Sequence, residues 1–141
     1  MTAMSNADFA KAVLRIAGQP KPFEPVAYYD QDGDCIEFIA KPEPFYAERV
    51  DELVTVYYGQ ESKEIVGSLI KGVSKFLPKV FAQCPGFRIL VKDGKVRLEH
   101  LFLAQLFMAS ESDKLPPLTY EKLIEVAEQS KAQADVELAL N

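Results

Sequence analysis

A chain of 141 residues is the size of one ordinary domain, long enough to bury about two-thirds of its unfolded surface without staples. At 48% hydrophobic and 26% charged residues it has the balance of a globular protein, which excludes a disordered one. No apolar run approaches the roughly 20 residues of a membrane span, so no membrane partner is expected. Asp8, Lys11 and Arg15 interrupt the stretch where a signal peptide would be continuously apolar, and a cytoplasmic location is expected.

The net charge of −5 is unevenly laid out. Glu24 to Glu64 carries eleven acids against Lys41, Arg49 and Lys63, whereas Lys71 to Arg97 carries seven bases against Asp93 alone. Blocks of opposite sign so close in sequence are expected to neutralise each other within the fold, with an exposed basic face as the alternative.

Asn6 to Ala17 is predicted to be an amphipathic helix, its apolar stripe formed by Phe9, Val13, Leu14, Ile16 and Ala17, with Gly18 as a stop. Pro20, Pro22 and Pro25 make an extended connector. Strands are then predicted at Val26–Asp30 and Cys35–Ala40, around the Asp-Gly turn signal at Asp32-Gly33. Further strands are predicted at Phe45–Arg49, Leu53–Tyr58 and Ile65–Ile70, and their short connections favour antiparallel neighbours. Val73–Gln83 is predicted to be helical with Ser74 as N-cap, and Pro78 is tolerable only near its first turn. Phe87–Lys92 and Lys95–Glu99 are expected to form a hairpin about Asp93-Gly94. Leu101–Ala109 is apolar all round and is expected to be a buried helix. Pro116-Pro117 precedes a last helix from Tyr120 to about Ala134, which Thr119 would cap. The expectation is a single α+β domain over residues 1–141: an N-terminal helix at 1–18, a mainly antiparallel β-meander at 26–70, and helices with a β-hairpin at 73–134.

Tyr29-Asp30, Asp34, the apolar strand positions Ile36 and Phe38, and Ile65-Val66-Gly67 form a pattern that resembles the small bacterial family catalogued as domain of unknown function 2283. The resemblance covers residues 29–74. It departs from the family at Tyr58-Gly59, where another Asp is usual, and at Ser68, where Ile or Val is usual. It implies a β-meander followed by a helix, and no activity.

The candidate sites are weak in sequence. Asp30, Asp32 and Asp34 alternate like the start of a calcium loop, but the sixth position is Cys35 and the twelfth Lys41 where glycine and a bidentate acid are required. A tight turn stabilised by Asp side chains explains them. Cys35, Cys84 and the lone His100 are too few for a structural zinc pattern, so no metal or cofactor is expected. Two free thiols are the simpler reading of the cysteines, with a disulfide left open. A nucleophile–histidine–acid set would have to gather Cys84 or a serine, His100 and a carboxylate in space, and no nucleophile signature accompanies them. Lys71, Lys75 and Lys79 recur at helical spacing and would offer a basic face to nucleic acid, against an acidic chain without a nucleic-acid motif. No catalytic residue is therefore assigned. The expected role is a non-enzymatic interaction or regulatory module acting through self-association, as a homo-oligomer. A hydrolase-like site near His100 and a weak nucleic-acid face at Lys71/Lys75/Lys79 are the alternatives.

Overall fold

The protein is described by a computed structural model over residues 23–109 and 117–140, and the helix expected at Asn6–Ala17 lies outside these. The fold is α+β. Five antiparallel strands form one sheet: β1 Val26–Asp30, β2 Cys35–Ile39, β3 Phe45–Arg49, β4 Val54–Gly59 and β5 Ile65–Lys71. The helices are α1 Val73–Gln83, α2 Leu98–Met108, α3 Pro117–Ser130 and α4 Glu137–Leu140, with a two-stranded ribbon of β6 Lys95–Arg97 and β7 Gln133–Asp135.

The strand order is β1-β2-β5-β4-β3. Residues 26–70 are therefore antiparallel as expected but are not one chain-ordered meander. The hairpin β1–β2 is local, β3–β4–β5 is local, and β2 joins them by pairing with β5, a Greek-key arrangement. The connection from β2 to β3 must cross the ends of β5 and β4, and it is pinned as it goes. The Ala40 N–H bonds the Val66 carbonyl at 2.7 Å. The Glu43 carboxylate accepts the Glu61 and Ser62 amides and the Ser62 hydroxyl in the β4–β5 turn. Those bonds hold the Glu43 carboxyl below the usual glutamate range.

Alternation along the strands sends Ile36 and Phe38 of β2, Val54 and Val56 of β4 and Ile70 of β5 to one face. Phe76, Leu77 and Val80 of α1, Leu98, Leu101 and Phe102 of α2, and Tyr120, Leu123 and Ala127 of α3 pack onto that face as a second layer. Tyr120 is fully buried and its hydroxyl donates to the carboxylate of Asp51, which also accepts the Leu53 and Val54 amides. One acid thus ties the β3–β4 turn to α3. Burial, then the Asp51 bond, pushes the Tyr120 hydroxyl well above its ordinary value.

The second half differs from expectation where local signals compete. Pro85 opens a 3-10 helix over Pro85–Leu90 instead of a strand at Phe87–Lys92. Its fixed φ favours helical geometry at the first turn, and the Phe87 N–H closes on the Cys84 carbonyl. The Asp93-Gly94 turn is present, with both residues at positive φ, but only an isolated bridge joins Lys92 to Lys95. The true partner of β6 is β7, so Gln133–Asp135 leaves the helix that was expected to reach Ala134. Helix α1 starts after Gly72, whose φ of 64° ends β5, rather than at Ser74. Pro78 lies inside it on the exposed side, away from the core residues Phe76, Leu77 and Val80.

Two glycines test these geometries by urea denaturation. A Cβ on Gly67 would overlap the Phe38 carbonyl oxygen across the β2–β5 ladder and press on the Tyr57 ring. Gly67→Ala is expected to cost about 2 kcal/mol or more, since backbone must move. Gly33 carries no positive φ, and its Cβ would meet only the side-chain atoms Asp30 Oδ2 and Cys35 Sγ, each at 3.2 Å. Gly33→Ala is expected to cost less than about 1 kcal/mol. The reverse ranking would refute the β2–β5 approach described here.

Candidate functional site

The Asp30–Asp34 turn is structural on its geometry. Asp30 Oδ1 accepts the Asp32 N–H at 3.1 Å and the Asp34 N–H closes on the Gln31 carbonyl at 3.2 Å. The left-handed residue of the turn is Asp34, with φ 51°, and not Gly33; aspartate is among the residues that tolerate this region. The twist aims its carboxylate at α1. Oδ1 accepts the Tyr29 hydroxyl at 2.6 Å and the Ser74 amide at 2.9 Å, and Oδ2 accepts the Ser74 hydroxyl at 2.7 Å. Asp34 thus caps α1 from forty residues away, supplying the acceptor that Gly72 lacks. Desolvation works to raise its carboxyl, but the bonds from Tyr29 and Ser74 together hold it below the usual aspartate value. Burial and the same bond push the Tyr29 hydroxyl up to about 12. Among the described residues no three His, Cys, Asp or Glu side chains converge as metal ligands.

Lys71, Lys75 and Lys79 do not share one helix. Lys71 closes β5, and Lys75 and Lys79 stand exposed one turn apart on α1. The basic segment 71–97 is not neutralised by the acidic segment 24–64 either. The ion pairs among the described residues are Lys41–Glu64, within the acidic segment, and Arg97–Glu99, whose acid lies just beyond the basic one.

Cys84 and His100 do come together, as walls of one open groove of about 560 Å³. Cys84 ends α1, and His100 stands on the first turn of α2. The remaining walls are apolar, with Phe87, Leu90, Leu103, Leu106 and Phe107, and no carboxylate among them. The neighbouring Glu99 is buried, with Oε1 held by Arg97 Nε at 2.8 Å. A nucleophile and a histidine without an acid leave the constellation incomplete. The His100 Nδ1 and Glu99 Oε2 atoms are buried with no hydrogen-bond partner among the described residues. Cys35 and Cys84 are both free thiols, and burial followed by the charge of Asp30 pushes the Cys35 thiol up, away from reactivity.

The groove exposes what the sequence reading missed. Helix α2 buries Leu98, Leu101, Phe102 and Ala104 in the core, yet Leu103 is 47% and Phe107 79% exposed. The all-round apolarity of Leu101–Ala109 points to burial on every side, whereas the described residues pack this helix on one side only. Ile89 and Leu90 of the 3-10 helix extend the same bare surface. No protein-family model, curated protein or solved structure matches this chain.

The capping role of Asp34 sets a measurable expectation. Asp34→Asn keeps a residue that tolerates positive φ but weakens three accepted bonds, and should cost about 1 kcal/mol. A folded-state value below the unfolded one stabilises fully above the unfolded Asp value of about 4, and the benefit fades as pH falls through the folded value. The gap between wild type and Asp34→Asn, measured by thermal melts, should therefore be widest near neutrality and close as the pH falls through the folded value. A gap independent of pH would refute the charged cap.

Proposed function

We propose that this protein is a non-enzymatic interaction module that acts by self-association, two copies joining through the bare face of α2. The observation that carries the reading is that α2 is apolar on both sides while the core formed by the described residues covers one. A helix apolar all round belongs in an interior, and an exposed apolar patch marks an interaction surface. The groove walls carry no Lys, Arg, Asp or Glu. A patch without such charges meets its own copy about a two-fold axis with no like-charge penalty, which favours an isologous dimer over a charged partner.

The sheet edges offer less. β1 is packed by β7. β3 is fully exposed but carries Glu48 and Arg49 and follows Pro44, the usual devices that blunt an edge. The two free thiols suit a reducing cytoplasmic setting. The resemblance of residues 29–74 to a family of unknown function adds no activity to this reading.

Burying a Phe or Leu side chain contributes about 1.5–3 kcal/mol when complete. Phe107 and Leu103, both largely exposed in one copy, are therefore the expected anchors. Sedimentation across about 1–100 μM, a range that brackets a typical weak dimer, should show a dimer. Phe107→Glu and Leu103→Glu should each return a monomer with an unchanged far-ultraviolet spectrum. A wild-type monomer throughout that range would overturn the proposal.

A further inference from the structure

Where β6 runs into α2, a second cavity of about 370 Å³ gathers Lys92, Lys95, Arg97, His100 and Gln133, together with the Asp93 carboxylate and the apolar Leu90. The elements bring these together by register. Lys92 and Lys95 face each other across the Asp93-Gly94 turn, and Arg97 follows on the same side of β6, opposite Gln133 of β7. His100 arrives on the first turn of α2 and is a wall of both this cavity and the apolar groove.

As a merely solvated surface the arrangement is costly. Like charges directly opposite across a β pair destabilise it, and among the described residues neither lysine has an ion-pair partner. Asp135 is opposite Lys95 in the ribbon, but its Oδ1 accepts the Glu137 amide. Glu99, the buried acid nearby, is held by Arg97. The α2 N-terminus has no side-chain cap; its Leu98 amide donates to the Ala132 carbonyl at 3.0 Å and Glu99 stands in its first turn, so what it adds to the three cations is the positive end of its dipole. The buried, unpartnered Nδ1 of His100 is one more polar atom without a partner. Lys92 and Lys95, facing each other, are thus the two cations that lack an anion among the described residues.

We propose that this cavity is a binding site for a phosphate group, held by Lys92, Lys95 and the terminal nitrogens of Arg97 over the α2 N-terminus, with His100 and Gln133 as flanking hydrogen-bonding groups. Phosphate fits better than carboxylate on two counts. Two point-charge lysines and an arginine around one centre match a dianion. The Arg97 Nε already bonded to Glu99 is not free for the side-on fork that a carboxylate takes. The volume admits a small phosphorylated molecule rather than a polymer. This proposal is independent of the α2 interface, since the cavity is built from one copy.

The test uses the full chain and inorganic phosphate, titrated at constant ionic strength against chloride and followed by the His100 ring resonances in NMR spectra. A saturable shift with millimolar affinity is expected, with acetate at least tenfold weaker. The double variant Lys92→Gln/Lys95→Gln should weaken phosphate at least tenfold. Its melting temperature in chloride should be equal to the wild type or higher, because the like-charge pair is gone. A His100 response that never saturates, equals that of acetate, or survives the double variant would overturn the assignment.

Discussion

The pairing of β2 with β5 is the constraint on which the rest of the molecule depends. Cys35 to Ile39 lies against Lys71 to Gly67, and only this ladder joins the local β1–β2 hairpin to the local β3–β4–β5 unit. It admits no slack, because Gly67 lets the Phe38 carbonyl approach to a distance that excludes a side chain. It also delivers Asp34 to the start of α1, where the Asp34 carbonyl accepts the Val73 amide and its carboxylate the Ser74 amide. A one-residue slip would turn Ile36 and Phe38 out of the core and leave α1 uncapped at once. Sheet register and helix placement are thus one decision.

Half-buried acids do much of the joining between layers. Asp34 links the first hairpin to α1, and Asp51 links the β3–β4 turn to Tyr120 of α3. Both accept backbone amides as well, so each satisfies groups that a turn or a helix end leaves open. Of the acids that crowd residues 24–64, Asp34, Glu43 and Asp51 thus serve as hydrogen-bond acceptors at junctions, and no ion pair draws that segment to the basic one among the described residues. Of the basic residues, Lys92, Lys95 and Arg97 gather at the α2 end of the molecule.

That end carries both candidate surfaces. Helix α2 presents apolar side chains to the groove shared with Cys84, and its N-terminus opens on the lysine-lined cavity, with His100 between the two. The nearness follows from the chain path: the 3-10 helix after Cys84 turns back tightly, so the Asp93-Gly94 turn, β6 and the first turn of α2 crowd into a small volume.

The sequence by itself determined the five strands, their antiparallel sense and the helices at Val73 and before Met108, because period-two and period-3.6 apolar patterns and turn residues are local signals. It also showed that Asp30 to Asp34 is a turn and that Cys84 and His100 lack a nucleophile signature. Only the tertiary structure decided that β2 pairs β5 rather than β3, because strand partners are chosen by long-range packing. Only the fold could pair β6 with β7 from thirty-eight residues away, and so take Gln133 to Asp135 out of the expected helix. The same holds for the candidate surfaces. An apolar helix reads identically whether its second face meets its own core or open solvent, and lysines read identically whether acids elsewhere in the chain reach them or not. Burial and pairing depend on distances between segments far apart in sequence, which local patterns do not encode.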